Sequence, residues 1–598
     1  MLRANKFPLA LAVAGLAGCS ALLDLRDDYQ LATDAQAPFP DAQGDSSVLP
    51  DVQFSDVAAD ASGIGAPRQI APITTATTSI QRPTFKWTLP TGVEGGHVEI
   101  CKDRACSTIT AQFDSPGAFG RPTSALSPGL YFWRVHGRVG QTTGVAVSST
   151  WEVWVRKDSG VVGEIDSSFG AFPDFNGDGL GDIATSGGGS GGADVFLSTA
   201  KFGPSDSSQF SITDPARMMT DSFAAMTYGD VDGDGLQDLV LGTFNQSGPS
   251  DANNHVVIYR GATGFDKNAK YAWTINVPAG ANDAGLSIDD FAATVQVPGD
   301  VNGDGYDDLL VGSILNGHKG GNVGPTFLYF GHANGPSTTP DAMLVDDNGY
   351  HFHPVGRVGD VDGDGYADAV LTAEGIQGTW VYRGGAKGLS DTNRYQLAIP
   401  PDVNSWDRFA TGAGDVDGDG YPEIMAGSPY GFDDAGAQAG KVYLYRGQNG
   451  PGLLSPHWTL HADGASIQFG ASNAIIGDVN GDGFDDVVVG AAFAPAGQPS
   501  GRAYFYPGAV DGVKDSSVTK ITGNGGYFGG TAATGDVDGD GMLDALIAGN
   551  QGYIDVYFGK AGASITDSST KVTVHPASVS FMYIIADLWN GALAWRHS

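Results

Sequence analysis

One acidic nonapeptide, D-x-(D/N)-G-D-G-x-x-(D/E), occurs seven times along this 598-residue chain. The copies occupy residues 174–182, 230–238, 300–308, 360–368, 415–423, 478–486 and 536–544. Their first residues lie 55 to 70 positions apart, and self-similarity at such a period is typical of repeat architectures. The sequence therefore predicts an array of one supersecondary unit, in which each copy packs mainly against its neighbours.

The residues around each copy predict strands and no helix. A short apolar run such as "DLVLG" follows the motif, and a second run such as "HVVIYRG" follows after a variable loop. Short β-branched and aromatic runs bounded by turn residues are typical of strands. Roughly four such strands per copy predict an all-β fold with a seven-bladed β-propeller over residues 159–576, because seven copies suit a closed ring.

The motif supplies the donors that a hard cation prefers. Ca²⁺ takes about six to eight oxygen ligands. Side chains at positions 1, 3, 5 and 9 and the backbone carbonyl at position 7 can converge if the chain curls, and Gly at position 6 tolerates the positive φ that this requires. The predicted ligands, up to seven Ca²⁺ in all, are Asp174, Asn176, Asp178, Leu180 and Asp182; Asp230, Asp232, Asp234, Leu236 and Asp238; Asp300, Asn302, Asp304, Tyr306 and Asp308; Asp360, Asp362, Asp364, Tyr366 and Asp368; Asp415, Asp417, Asp419, Tyr421 and Glu423; Asp478, Asn480, Asp482, Phe484 and Asp486; and Asp536, Asp538, Asp540, Met542 and Asp544.

Two other interpretations of the motif compete with this one. An EF-hand needs flanking helices and a bidentate Glu at position 12, whereas position 12 here holds only Thr, Leu, Val, Ala or Ile. An Asp- and Gly-rich turn without metal is the second alternative, since both residues favour turns. A turn does not need three or four acids so close together, where they repel one another unless a cation offsets their charge.

The repeats resemble the FG-GAP repeats of integrin α-subunits and of related bacterial surface proteins. The resemblance extends over about residues 159–576 and rests on the seven motif copies. It implies that each motif is a nine-residue loop of a β-hairpin and that the propeller face binds a protein or glycan. Variable loops at 245–254, 316–324 and 430–440 are the predicted binding surface.

The charge balance limits the partners of this protein. Asp and Glu number 68 against 32 Lys and Arg, which gives a net charge of −36. Such a surface repels nucleic acid and anionic lipid. Seven Ca²⁺ ions would offset fourteen of these negative charges, so we expect the metals to be structural.

The N-terminus predicts export and a lipid anchor. A basic start and a short apolar run precede "LAGC", which resembles a bacterial lipoprotein signal ending at Cys19. An ordinary secretory signal with a chance Cys is the alternative. Residues 1–19 are then the signal, and Ser20 after the lipidated Cys19 favours the outer membrane. Residues 20–66 lack periodicity and are predicted to be a flexible tether.

Residues 67–157 predict a small β-sandwich. Tyr131, Trp133 and Val135 alternate with polar and aromatic residues along one strand. The stretch "PGLYFWRV" resembles a late strand of fibronectin type III-like modules. Cys101 and Cys106 can pair across a tight hairpin in an oxidising compartment, and two cysteines alone are too few for a zinc site.

Other signals carry less weight. "GGGSGG" at 187–192 lacks the strand-to-helix context that nucleophile elbows and dinucleotide sites need. His351 and His353 are too few ligands for a metal site of their own. Residues 577–598 resemble the start of a degenerate eighth repeat or a closing strand, because Trp589 and Gly591 stand where acids would be.

The sequence thus predicts a non-enzymatic, calcium-binding, lipid-anchored surface protein that binds a protein or glycan in adhesion. A passive envelope component without a specific ligand is one alternative. A propeller-associated hydrolase or lyase is another, although no catalytic constellation stands out.

Removal of calcium should destabilise the protein. With excess EDTA we expect the melting temperature to fall sharply, because unneutralised carboxylates then repel one another within each loop, and differential scanning calorimetry measures this. Adding back excess calcium is the control. An unchanged melting temperature in EDTA would exclude a structural role for the metal.

Overall fold

The computed structural model describes residues 63–74, 76–78, 80–157, 173–187, 192–199, 203–204, 210–213, 222–245, 254–278, 291–313, 325–345, 352–373, 378–400, 409–429, 431–432, 439–450, 455–461, 468–492, 494, 501–523, 528–549, 553–566 and 569–575. These residues form 38 strands and one short 3₁₀ helix, Asp515–Ser517. The predicted all-β class is confirmed. Within the described ranges, no helix has the length and apolar character needed to cross a membrane. Cys19, residues 20–62 of the predicted tether and residues 577–598 lie outside them. Residues 63–66, predicted as the end of the tether, lie inside them, and Ile64 and Ala66 are buried.

An N-terminal β-domain contains two sheets. Its strands are β1 Arg68–Ala71, β2 Ala76–Thr78, β3 Phe85–Thr88, β4 Gly95–Cys101, β5 Ile109–Ser115, β6 Phe119–Gly120, β7 Gly129–Val139, β8 Thr142–Val147 and β9 Trp151–Val155. One sheet has the order β1-β3-β6, and the other has the order β2-β9-β7-β4-β5 with β8 paired to β7. Every pair is antiparallel except β2 with β9.

The two sheets of this domain share one apolar core. Trp133 on β7 is fully buried, and its ring lies 4.9 Å from that of Phe85 on β3, centroid to centroid. Tyr131 and Val135 are buried in the same cluster, as their alternation along the strand predicts. The likeness to fibronectin type III-like modules stays a prediction.

Six of the seven repeats are four-stranded antiparallel meanders whose strands follow chain order. They are β15 Ser222–Gly229, β16 Asp238–Asn245, β17 His255–Tyr259 and β18 Trp273–Asn276; β19 Phe291–Gly299, β20 Asp308–Ser313, β21 Thr326–Tyr329 and β22 Ala342–Leu344; β23 Phe352–Arg357, β24 Ala369–Ala373, β25 Gly378–Tyr382 and β26 Arg394–Gln396; β27 Phe409–Gly414, β28 Glu423–Ser428, β29 Lys441–Tyr445 and β30 Trp458–His461; β31 Phe469–Gly477, β32 Asp486–Ala491, β33 Arg502–Tyr506 and β34 Thr519–Thr522; and β35 Thr531–Gly535, β36 Asp544–Ala548, β37 Ile554–Tyr557 and β38 Lys571–Val574.

The described ranges contain part of the first repeat. Its described residues form a three-stranded sheet of β10 Ile183–Gly187, β11 Gly192–Phe196 and β14 Phe210–Thr213, beside a two-stranded pair of β12 Ser198–Thr199 and β13 Gly203–Pro204. The residues before its motif, 158–172, lie outside the described ranges.

Apolar side chains of adjacent repeats share each core. Leu310 and Leu328 of the third repeat, for example, pack in one cluster with Leu371 of the fourth. The last repeat packs with the first in the same manner, since Leu546 and Val556 share a cluster with Ile183. Burial of this kind contributes about 25 cal/mol per Å² of apolar surface.

Backbone hydrogen bonds also join the repeats at the motif. In copies two, three, four and six the N–H at position 8 donates to the carbonyl at position 1 of the preceding copy, as Asp307 does to Asp230 at 3.0 Å and Asp485 to Asp415 at 3.0 Å. Position 8 of the fifth copy is Pro422, which has no N–H to donate. Gly181 of the first copy donates to the Asp536 carbonyl of the seventh at 2.7 Å. The seventh and first copies are therefore joined by the same bond that joins four of the consecutive pairs of copies.

The N-terminal β-domain packs on the turns that carry the acidic motif. A disulfide joins Cys101 and Cys106, and the short hairpin between them presents Arg104. The Arg104 guanidinium donates to the carbonyl oxygens of Gly303, at 3.1 Å, and Gly365, in the third and fourth motifs. It also stacks over the Tyr366 ring at 4.7 Å.

Contacts to other copies follow the same pattern. Ser149 Oγ donates to the Gly363 carbonyl at 3.3 Å, Arg68 lies over the ring of Tyr421 at 4.8 Å, and Arg156 Nη1 lies 3.6 Å from Asp174 Oδ2. The domain thus contacts the motifs of copies one, three, four and five.

Arg104 also compensates two buried acids. Its Nη2 lies 3.5 Å from Glu152 Oε2 and 3.7 Å from Asp300 Oδ2, and both carboxylates are almost wholly buried. Removing one partner of a buried ion pair leaves the other charges uncompensated.

Arg104→Ala should therefore destabilise the folded chain by roughly 3 kcal/mol. Urea unfolding at fixed calcium measures the loss. Arg82→Ala is the matched control, because among the described residues Arg82 donates only to the Pro122 carbonyl of its own domain. Glu152→Gln in the Arg104→Ala background should recover part of the stability, and equal losses for both arginine variants would contradict this account.

Candidate metal centres

In copies two to seven the acidic motif is the loop between the first two strands of its repeat, and in the first copy β10 follows the motif. The second copy, for example, begins directly after β15 and ends where β16 begins at Asp238. Strands, and no helices, flank the motifs along the described chain, which agrees with the predicted β-hairpin loop and not with an EF-hand.

Two glycines in each motif make the curl possible. In the second copy Gly233 has φ of 70° and Gly235 has φ of 92°, which L side chains rarely adopt. Position 6 was predicted from the sequence, whereas the need for Gly at position 4 was missed. The signal was present, because position 4 is Gly in all seven copies.

The position 1 carboxylate organises the curl. In all seven copies its Oδ2 accepts a hydrogen bond from the N–H at position 6, at 2.6–3.1 Å. In the third copy Asp300 Oδ1 also accepts from Gly303 at 2.6 Å and from Asp304 at 3.1 Å. These bonds draw positions 4 to 6 around one buried carboxylate.

The position 9 carboxylate fixes the loop to the rest of its repeat. One oxygen accepts from the N–H at position 2, at 2.8–3.2 Å in all seven copies. The other accepts from a backbone N–H just beyond the third strand, which is Ser198, Gly261, Gly331, Gly384, Gly447, Gly508 or Gly559. Glu423 makes both bonds despite its longer side chain.

The glycine that follows the third strand was also missed as a site residue. A Cβ on Gly331 would lie 2.3 Å from the Asp307 carbonyl, and a Cβ on Gly508 would lie 2.3 Å from the Asp485 carbonyl. No side chain fits there, which explains the recurrent aromatic-x-Gly ending of these strands.

Four copies bring three acids into one cluster, with one oxygen of each within 4.8 Å of the others. The clusters are Asp230, Asp232 and Asp234; Asp360, Asp362 and Asp368; Asp415, Asp417 and Glu423; and Asp536, Asp538 and Asp540. These are the four copies with Asp at position 3. Copies one, three and six place Asn176, Asn302 and Asn480 there, and the amide oxygen of Asn176 accepts from the Asp178 N–H at 2.9 Å.

Position 7 faces the cluster through its backbone. In all seven copies its N–H donates to Oδ1 of position 5, at 2.9–3.2 Å. The role of the position 7 carbonyl as a ligand stays a prediction.

The donors fit a hard divalent cation. They are carboxylate and amide oxygens, the ligand types that Ca²⁺ takes. The buried Oδ1 atoms of Asp232 and Asn480 accept no hydrogen bond from any residue in the described ranges, and a buried oxygen without a partner is costly. A bound cation would satisfy both and offset the repulsion.

Burial makes the charged carboxylates costly without a cation. Burial, with the nearby carboxylates of Asp540 and Asp538, raises the pKa of Asp536 to about 8. Burial likewise raises the pKa of Asp415 to about 7, with Asp419 contributing, and that of Asp486 to about 9. The metal-free loops therefore hold negative charge only at a cost in free energy.

Some of the sites predicted from the sequence lie outside the described ranges. Most residues of the three variable loops lie outside the described ranges, as does His351. The same holds for residues 188–191 within "GGGSGG".

Known families match the repeats. Residues 409–445 match the FG-GAP repeat, and residues 360–426 and 478–547 match an FG-GAP-like repeat. The chain is 31% identical over 195 residues to integrin alpha-7 of Homo sapiens, which covers 30% of this chain and 16% of the relative. It is 28% identical over 251 residues to integrin alpha-IIb of Mus musculus, covering 40% of this chain and 23% of the relative.

These matches show that the chain contains FG-GAP repeats and is similar in sequence to parts of integrin α-subunits. The chain spans less than a quarter of the length of these relatives. Among solved structures, a rhamnogalacturonan lyase, YesW, aligns with 86% of this chain and 78% of its own, at 16% identity and a TM-score of 0.22.

The raised carboxyl pKa values give the metal-free protein a defined pH dependence. The folded state holds protons that the unfolded chain, with carboxyl pKa values of about 4, has released. Between about pH 5 and about pH 9, the stability of the protein in EDTA should therefore be greatest at the low end and fall as the pH rises. Melting temperatures across this range test it.

Saturating calcium is the control for this series. A bound cation favours the ionised carboxylates, so the decline should shrink when calcium is present. A melting temperature in EDTA that rises with pH would contradict the expectation.

Proposed function

We propose that the repeats close into a seven-bladed propeller whose seven acidic loops bind Ca²⁺ and whose free face binds a protein or glycan at the cell surface. The observation that carries this proposal is the convergence of carboxylates in hairpin loops that match FG-GAP repeats. Bound Ca²⁺ would brace each hairpin by neutralising and ordering these carboxylates.

Two contacts support closure of the ring. The Gly181 to Asp536 hydrogen bond repeats the link between consecutive copies, and Ile183 shares an apolar cluster with Leu546. A seventh sheet that met no partner would leave that apolar face exposed to water.

The position of the N-terminal β-domain supports a choice of face. Arg104, Ser149 and Arg68 contact the motif-bearing turns of the repeats. A large ligand therefore has the best access to the opposite face, where the predicted loops at 245–254, 316–324 and 430–440 would lie. The similarity to integrin α-subunits favours a protein ligand in adhesion.

We propose a location in the cell envelope from the N-terminal sequence. Lipidation of Cys19 would anchor the chain to the envelope, with the outer membrane favoured by Ser20, and residues 20–66 would act as a tether. No residue of the described chain is assigned a catalytic role, and we propose a binding protein without enzymatic activity.

Binding to intact cells and to immobilised envelope proteins and glycans tests the function. We expect saturable binding in calcium that is lost in EDTA, because the loops that brace the propeller are then empty. Asp536→Asn with Asp540→Asn is the loop variant, and Asp511→Asn, at an exposed acid outside the motifs, is its matched control.

Two outcomes would overturn the proposal. Turnover of a polysaccharide or phosphoester panel would indicate the hydrolase or lyase alternative. Absence of both binding and turnover, in a protein that calcium stabilises, would indicate a passive envelope component.

A further inference from the structure

Three motifs have an arginine of their own at the end of the third strand. Arg260, Arg383 and Arg446 come directly after β17, β25 and β29. Each reaches back to the carboxylates at positions 3 and 5 of its own repeat. The arginines therefore belong to the loops, although they lie 19 to 29 positions further along the sequence than positions 3 and 5.

The contacts are the same in the second and fifth repeats. Arg260 Nε lies 2.5 Å from Asp232 Oδ2, and its Nη2 lies 2.8 Å from Asp234 Oδ2. Arg446 Nε lies 2.6 Å from Asp417 Oδ2, and its Nη2 lies 3.0 Å from Asp419 Oδ2.

The fourth repeat repeats the arrangement. There Arg383 Nε donates to Asp362 Oδ2, and its Nη2 lies 3.7 Å from Asp364 Oδ2. In all three repeats the guanidinium thus bridges two neighbouring carboxylates.

The arginine occurs only where position 3 is Asp. In the first and third copies Asn stands at position 3, and its own amide does the bridging. Asn176 Nδ2 donates to Asp178 Oδ2 at 3.1 Å, and Asn302 Nδ2 donates to Asp304 Oδ2 at 3.0 Å. The place of the arginine is then taken by Leu197 and Phe330.

The sixth copy also has Asn without arginine. Asn480 Nδ2 donates to Asp486 Oδ1 at 3.1 Å, and Pro507 stands where the arginine would be. This loop has three acids in place of four, so it carries less charge to offset.

The seventh copy has neither an arginine after its third strand nor an asparagine at position 3. Asp538 and Asp540 are both acids, and Phe558 follows the third strand in place of arginine. Within the described ranges no cationic side chain forms an ion pair with its four acids, Asp536, Asp538, Asp540 and Asp544. Among the four loops with four acids, it is the one that lacks such an ion pair within the described ranges. Its carboxylates therefore repel one another without an internal counter-charge.

The bridging arginine does not fill the cluster. Arg260 pairs with Asp232 through Oδ2, while the buried Oδ1 of Asp232 accepts no hydrogen bond from the described residues. Asp232 is also a member of the three-acid cluster. One oxygen of the carboxylate is thus held by the arginine, and the other is left for a cation. An outer partner that fixes a ligand's orientation in this way is common around metal sites.

We propose that Arg260, Arg383 and Arg446 are permanent counter-cations that keep their loops folded without calcium, so that the seventh loop depends most on a bound divalent cation. This inference rests on the proposed binding of calcium by the loops. It assigns unequal roles to seven loops of nearly equal sequence.

Phe558→Arg supplies the missing counter-cation. We expect the melting temperature in EDTA to rise by at least about 2 °C, and the further rise on adding calcium to shrink. Phe330→Arg is the matched control, because Phe330 is equally half-buried at the same strand end but serves a three-acid loop bridged by Asn302. It should give no such gain.

Arg446→Gln removes one of the three counter-cations. It should lower the melting temperature in EDTA, and calcium should restore most of the loss, because the ion then supplies the missing charge. Circular dichroism of each variant in saturating calcium establishes that it is folded.

Hydrogen exchange of the wild-type chain locates the effect. Calcium should slow exchange most in residues 536–544 and less in residues 230–238, 360–368 and 415–423. Equal slowing in these four loops, or equal responses of Phe558→Arg and Phe330→Arg, would overturn the inference.

The failure of calcium binding itself has a different signature. If millimolar calcium changes neither exchange nor melting temperature in the wild-type chain, the proposed calcium function fails. If calcium stabilises the chain but the loops and variants respond alike, only the role of the arginines fails.

Discussion

The carboxylate at position 9 of the motif is the contact on which each repeat depends. Asp308, for example, accepts the N–H of Val301 at 2.8 Å at the start of the hairpin and that of Gly331 at 3.0 Å beyond the third strand. One buried side chain thus fixes three strands relative to each other. Hydrogen bonds to a charged group are about twice as strong as neutral ones, and this one recurs in all seven copies.

The same chemistry makes the loops sensitive to cations. The carboxylates that organise the backbone are buried, and burial raises their pKa, as at Asp415 and Asp536. The chain offsets this cost by three routes: amide donors at position 3, arginines such as Arg260, and a set of oxygens that suits a divalent cation. The repeats differ in which of these routes they use.

The motif loops and the strands beside them could be predicted from the sequence. The spacing of Asp230, Asp232, Asp234 and Asp238 predicts a loop with converging oxygens, and the flanking apolar runs predict the strands. Local pattern suffices here because the loop closes within nine residues. The alternation around Trp133 likewise predicts the buried face of its strand.

Other features depend on pairs of distant residues and could not be predicted. Arg446 meets Asp417 only because the third strand ends beside the loop, and Arg104 reaches Gly365 only because two domains pack together. The glycine after each third strand was visible as a recurrent letter, yet its reason, a carbonyl 2.3 Å from any Cβ on Gly331, is apparent only in three dimensions.

The shared cores limit how such a chain can change. Because Leu310 packs with Leu371 of the next sheet, and Ile183 with Leu546, each repeat shares its apolar core with its neighbours. A repeat cut out alone would lose that shared core. An ancestral gene of this type could therefore lengthen only by duplicating whole units, and each added unit would have to fit between two existing ones.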